Sequence, residues 1–312
     1  MNYRRMGRTG LRISSVSIGG WLTLGGSVDD ETSKAIIRTA IDGGVNFVDL
    51  ADVYSHGAAE RVVGAALAEH DRSSLVLSTK VFGRMGDGPN ERGLSRKHIV
   101  ESCEASLKRL GTDYIDLYFC HRSDTDTPLE ETVRAMDDLI HQGKVLYWGT
   151  SVWPVDLLDA AHDLCDRRGL YAPVVEQPQY SLLERSIEAT TLPAARRLGM
   201  GVVVWSPLAG GLLTGKYDDG DIPAGSRGAE TKWLDEQLDD DVRTKLRAFS
   251  AIAKEMSITP SQLALAWILR NDVITSVITG ATRTEHVESN LAAADVEVPA
   301  EIAQRIDEIF AA

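Results

Sequence analysis

Cysteine is scarce in this sequence: Cys103, Cys120 and Cys165 are the three thiols in 312 residues. None forms a CxxC pair, and an odd number cannot complete an intrachain disulfide set. A disulfide scaffold is therefore excluded, and a reducing compartment, the cytoplasm, is the expected location. No apolar run is long enough for a membrane span. The N-terminal stretch spreads its basic residues and no apolar core follows them, so no secretory leader is expected. Seven histidines are scattered without an HxH or HExxH pair, so no metal is expected. Positive charge is the minority sign. A net charge of −13 and the lack of a Lys/Arg-rich tail argue against nucleic-acid binding. No serine or cysteine sits in a nucleophile elbow, so acyl-transfer machinery is missing. Cys120 precedes a histidine, which invites a thiol nucleophile, but its apolar surroundings read better as a buried strand.

What is present is a rhythm. Apolar residues make up 43% and charged residues 25%, a balance suited to a folded globular chain. Tyr3–Arg5 and Arg12–Ile13 flank a glycine-bounded turn and predict a short hairpin. Eight short apolar segments then alternate with amphipathic ones. The predicted strands are 16–19, 45–49, 75–79, 114–120, 145–149, 174–176, 202–205 and 276–279. They lack strict alternation, as expected of parallel strands covered by helices. Eight such units predict a (β/α)8 TIM barrel, an α/β fold, as one domain over residues 1–312. A doubly wound open sheet is the competing fold. It is disfavoured because no GxGxxG follows the first strand. Two long, turn-rich insertions are expected after strands three and seven, at 82–93 and 208–239, on the face where barrel enzymes bind ligands.

Polar residues collect at the strand ends: Asp49, Lys80, His121, Thr150 and Ser151, Glu176 and Gln177, and Ser206. In a barrel they are expected to face one central pocket. Tyr54, just past Asp49, can turn back toward the same mouth. A phenol is a poor acid at neutral pH, and an ammonium such as Lys80 is expected to lower its pKa. Asp49 can hold Lys80, and His121 can donate to a substrate oxygen. Such a set suits a proton donor beside a developing alkoxide. A second group lies in TGATRTEHVESN (279–290), where a strand meets a helix start able to hold phosphate. Arg283 there can pair with an extra phosphate on a dinucleotide ribose.

GRTGLRIS (7–14), FVDLADVYSHGAAERVVG (47–64), STKVFG (78–83), SLKRLGTDYIDLYFCHR (106–122), EQPQYSLL (176–183), WSPLAGGLLTGKY (205–217) and 279–290 together resemble the aldo-keto reductase family over nearly the whole chain. The likeness is to the branch holding voltage-gated potassium channel β-subunits. It implies NADP(H) as cofactor, a carbonyl substrate, and a catalytic set of Asp49, Tyr54, Lys80 and His121. It further implies that Ser151 and Gln177 hold the nicotinamide carboxamide and that Trp205 stacks on the ring. Ser206, Leu208, Gly211, Lys216 and Arg227 would wrap the cofactor, and Gly280, Thr282, His286 and Asn290 would take its adenosine end. Trp21 would lie near the pocket. Departures from the family pattern are Leu50, Gly83, Val152 and His286. His121 stands where many channel subunits carry asparagine. The expected function is NADPH-dependent reduction of an aldehyde or ketone, with Tyr54 as acid. The alternative is an NADP(H)-binding, redox-sensing regulatory subunit of a channel or other partner. A homo-oligomer, tetramer or larger, is implied by the branch.

Overall fold

The computed structural model describes residues 1–218, 222–223, 226–230 and 237–311. Eight parallel strands close into a barrel. They are β3 (Val16–Gly19), β4 (Phe47–Asp49), β5 (Val76–Val81), β6 (Ile115–Cys120), β7 (Val145–Thr150), β8 (Val175–Glu176), β9 (Gly201–Val204) and β10 (Ile274–Thr279), the last pairing with β3. A separate antiparallel hairpin, β1 (Tyr3–Arg5) and β2 (Arg12–Ser14), precedes them. The expected strands match within two residues at each end; β5 continues through Lys80 to Val81.

Helices follow the strands: α1 (Asp30–Asp42), α2 (Ala58–Leu67), α3 (Arg96–Leu110), α4 (Leu129–His141), α5 (Val155–Arg168), α6 (Thr191–Leu198), α7 (Arg227–Glu230), α8 (Asp240–Glu255), α9 (Pro260–Leu269), α10 (Thr284–Ala292) and α11 (Ala300–Ile309). Local chemistry sets their limits. Asp29 caps α1 by accepting from the Thr32 amide, and Ser95 caps α3 by accepting from the His98 amide. Thr259 and Gln262 form a reciprocal capping box at α9, with Pro260 in its first turn. Gly111 ends α3 at φ +66, where a side chain would be strained.

Two apolar layers result. Phe47, Val76, Leu117, Phe119, Val175, Val203 and Ile278 fill the barrel interior. Met6 and Ile13 of the hairpin, both fully buried, join that cluster. The hairpin therefore stoppers the end where the strands begin, and the Arg8 amide donates to Gly199 O at 2.9 Å there. Val48, Leu77, Tyr118, Val202 and Val277 face the helices instead. The long connections lie at the opposite end, after β5 and β9. The first is closed on itself, since the Gly93 amide donates to Phe82 O at 2.9 Å. Among the described residues no helix is long and apolar enough to cross a membrane.

Candidate active site

Side chains alternate in and out along a strand. Asp49 is two residues past the interior Phe47, and Lys80 is four past Val76. His121 is two past Phe119, Gln177 two past Val175, and Trp205 two past Val203. Parity alone directs these side chains to the barrel axis, at the strand ends opposite the hairpin. Thr150 and Glu176 have the other parity. They hydrogen-bond each other through Thr150 Oγ1 and Glu176 Oε2, and the Trp153 amide donates to Glu176 Oε1 at 3.2 Å. The expectation that every polar strand-end residue faces one pocket is thus corrected: these two turn toward the helix layer.

Lys80 is fully buried, and its Nζ donates to Asp49 Oδ2 at 2.7 Å and to Leu50 O at 2.5 Å. The same nitrogen lies 3.2 Å from the Tyr54 hydroxyl. Asp49 Oδ1 accepts from Ser78 Oγ at 2.7 Å and from Gln177 Nε2 at 2.9 Å. The carboxylate is thus fixed from three sides. Tyr54 opens the turn Tyr54–Gly57, and its ring meets His121 edge-on, 5.8 Å between centroids. Ser151 Oγ donates to Gln177 O at 2.8 Å, which ties the ends of β7 and β8 together.

Burial dominates the electrostatics. By itself it would push the Lys80 ammonium down, but Asp49 and Tyr54 outweigh it and hold Lys80 above its ordinary value. His121 is pushed down to about 2 by burial and by Lys80 and Arg122. Its ring is therefore neutral at physiological pH and can donate only as a neutral N–H. Tyr54 goes up, not down: burial outweighs the opposing effect of Lys80. The expectation of a lowered phenol pKa fails here because desolvation penalises phenolate more than one ammonium favours it. The consequence is a hydroxyl that keeps its proton until charge develops beside it.

The residues expected to take a phosphate come from two distant segments. Lys216 and Arg283 both act on the His286 imidazole, whose pKa burial first, then these two cations, push down. Thr282 Oγ1 lies 3.4 Å from His286 Nδ1. Gly211, at φ +104, backs onto Lys216: an added Cβ would sit 3.0 Å from Nζ. Nothing would obstruct an added Cβ at Gly280. Asn290 is buried on α10, one turn beyond His286. Trp21 is 46% exposed at the rim, just past β3. Ser206 and Leu208 are half-buried on the connection after β9. The Arg227 side chain lies outside the described residues.

Backbone strain marks the same rim. Leu22, Ser55, His56, Val152, Ser206 and Ala209 all have positive φ without being glycine, and all follow strand ends. Val152, at φ +56, is β-branched and pays most. By contrast, the groove of about 540 Å³ lined by Arg4, Arg196, Arg270 and Asp272 lies at the hairpin end. Three of its cations are committed: Arg4 to Leu269 O and Ile274 O, Arg196 to Asp272, and Arg270 to Asp307.

Sequence reasoning missed a buried carboxyl just behind the site. Asp52 is fully buried, and neither carboxylate oxygen has a hydrogen-bond partner. Burial first, then the Glu60 carboxylate, raise its pKa to about 7. The folded protein therefore binds this proton more tightly than the unfolded chain, whose value is about 3.9. The stability it brings is complete below about pH 4 and is lost as pH rises through about 7. Asp52→Asn is expected to raise Tm by a few degrees at about pH 8 and to change it little at about pH 4. Thermal scans at the two pH values check this; an equal shift at both would remove Asp52 as the titrating group.

The strand ends opposite the hairpin thus hold a Lys–Asp pair buried against a tyrosine, with Lys216 and Arg283 both acting on His286. The aldo/keto reductase family model matches residues 15–311, and the chain belongs to that family. It is 46% identical over 302 residues, 95% of this chain and 92% of the relative, to a probable voltage-gated potassium channel subunit beta of Arabidopsis thaliana. A rice (Oryza sativa subsp. japonica) protein with the same name is 44% identical over 317 residues, covering 100% of this chain and 96% of that protein. A Schizosaccharomyces pombe protein, a putative subunit of that kind by name, is 46% identical over 320 residues, covering 99% and 93%.

Proposed function

We propose that this chain is an NADP(H)-binding, redox-sensing regulatory subunit whose sensing centre is a carbonyl-reducing set of Asp49, Tyr54, Lys80 and His121. The observation that carries the chemistry is Lys80 Nζ held between Asp49, at 2.7 Å, and the Tyr54 hydroxyl, at 3.2 Å. The regulatory role rests on near full-length similarity to proteins named as channel β-subunits. The second reading is a free-standing reductase of aldehydes or ketones, which His121 favours, because its neutral N–H can orient a carbonyl.

The donor set fits a dinucleotide: Ser151 and Gln177 beside the tetrad can hold an amide, and Lys216 and Arg283 offer positive charge to a phosphate, with the neutral His286 ring as a further donor. When bound, NADPH supplies a hydride to the carbonyl carbon. Tyr54 gives its hydroxyl proton to the carbonyl oxygen as negative charge builds there. The Lys80 ammonium then faces the phenolate, and Asp49 keeps that ammonium in place. His121 donates to the same oxygen and aligns it.

The deciding experiment loads the protein with NADPH and mixes it with a panel of aldehydes and ketones in stopped flow. One hydride per bound cofactor, followed by much slower multiple turnover, is the expected pattern. Multiple turnover as fast as the single turnover favours the free-standing enzyme. Bound NADPH that no carbonyl oxidises removes the reductive centre.

Cofactor preference is a separate prediction. A charge-assisted hydrogen bond is worth about 1.5–3 kcal/mol. Arg283→Ala is therefore expected to weaken NADPH about tenfold or more and to leave NADH nearly unchanged. Fluorescence titration with both nucleotides checks this; an equal loss for both would make Arg283 structural.

A further inference from the structure

On the outer side of β5, behind the tetrad, lies a buried charge cluster that the chemistry above does not use. Glu60 of α2 is fully buried. Its Oε1 accepts from Thr79 Oγ1 at 2.7 Å, and its Oε2 accepts from Arg109 Nε of α3 at 2.5 Å. Thr79 and Lys80 are consecutive on β5, so one faces the helices while the other faces the axis. Arg109 also donates to Ser106 Oγ at 3.0 Å. Its side chain presses on Gly57: a Cβ there would lie 2.7 Å from Arg109 Cδ and 2.8 Å from Nε. Gly57, at φ +81, ends the turn that Tyr54 begins. Glu60 thus holds the strand of Lys80 directly and the turn of Tyr54 through Arg109.

Docking α2 on α3 does not require this arrangement. Gly64 already brings those helices into close contact, since a Cβ on it would come within 2.5 Å of Leu110 O. A buried carboxylate is also a costly way to join two helices. The third arm, to Thr79, is what a helix clamp would lack. Asp52 lies nearby with both oxygens unpartnered, and the charges of Glu60, Arg109 and Lys80 all act on it.

We propose that Glu60, acting through Thr79 and Arg109, is the positioning residue that keeps the Tyr54 hydroxyl within reach of Lys80 Nζ. The proposal rests on the reading that Tyr54 and Lys80 handle the proton, and its test includes a readout that does not. A misplacement of about 1 Å can cost on the order of 10²-fold in rate. With NADPH and para-nitrobenzaldehyde as probe, Glu60→Gln and Thr79→Val are each expected to slow single turnover by about 10- to 100-fold. The NADPH Kd, by fluorescence titration, should stay within about twofold, well under a tenfold change. Thr79→Ser, which keeps the hydroxyl, should restore the rate. In a Tyr54→Phe background Glu60→Gln should add nothing, because coupled residues are non-additive. Independently of turnover, the isotope-labelled Cζ resonance of Tyr54, assigned by its loss in Tyr54→Phe, should move in Glu60→Gln and Thr79→Val and return in Thr79→Ser. A Cζ resonance that stays put overturns the proposal, as does a rate loss that persists in full without the Tyr54 hydroxyl. If the wild-type protein does not reduce the aldehyde, the reductase reading falls, while the resonance still decides whether Glu60 positions Tyr54.

Discussion

Tyr54→Phe is expected to lower kcat for carbonyl reduction by about 10²-fold or more and to change the NADPH Kd little. The substitution removes one hydroxyl and keeps the ring that meets His121 edge-on. That hydroxyl is the hydrogen-bond partner that Lys80 Nζ has at 3.2 Å, and burial keeps its proton on. A developing alkoxide then finds no acid in place, since the neutral His121 can stabilise but cannot readily give up its proton. Cofactor binding should survive, because Ser151, Gln177 and the Lys216–Arg283–His286 group do not depend on the phenol. Stopped flow at saturating NADPH beside a fluorescence titration separates the two effects. Near-wild-type kcat, with chemistry shown to limit turnover, would remove Tyr54 from its role.

Lys80→Met is expected to act on two properties at once. Turnover should fall by about 10²-fold or more, because nothing then stabilises charge on Tyr54. Stability should fall as well. Lys80 and Asp49 are 0% and 4% exposed as side chains, and removing one partner strands the other. Breaking a buried pair costs about 3–5 kcal/mol, which in a chain of this size lowers Tm by roughly 5–8 °C. Ser78 and Gln177 still donate to Asp49 and soften the loss. Adding Asp49→Asn should recover much of the Tm without recovering turnover. Calorimetry and single-turnover rates on the single and double variants test this. A double variant as unstable as Lys80→Met would show that lost packing, not the stranded charge, sets the cost.

The candidate set was legible because Asp49, Lys80 and His121 stand at strand ends, and strand ends punctuate the chain with glycine, turn formers and caps. Asp49, Lys80 and His121 follow apolar runs of three barrel units in succession, and Tyr54 sits one turn beyond the first. Lys216 and His286 are 70 positions apart, and the resemblance, not any spacing, linked them; in the fold Lys216 acts on the His286 imidazole. What sequence left open was orientation. Strands buried on both faces carry no hydrophobic alternation, so nothing in the composition of 145–151 or 174–177 separates Ser151 and Gln177 from Thr150 and Glu176. Asp52 and Glu60 were hidden for a different reason. A carboxylate in a helix's first turn, like Glu60, or in a turn after a strand, like Asp52, is commonly solvated, and only tertiary packing buries these two. The direction of the Tyr54 shift was misjudged because a charge is visible in a sequence and desolvation is not.

The strand parity that sends Lys80 inward and Thr79 outward has a consequence for how this scaffold can change. A deletion or insertion of one residue within β5 would exchange the two, placing the ammonium among the helices and a hydroxyl in the barrel. Two properties would fail together, so the strands tolerate almost no change in length. The loops after β5 and β9 carry no such bookkeeping. Divergence in this lineage should therefore accumulate as added or lost loop residues around a mouth whose inward-facing groups stay in fixed phase.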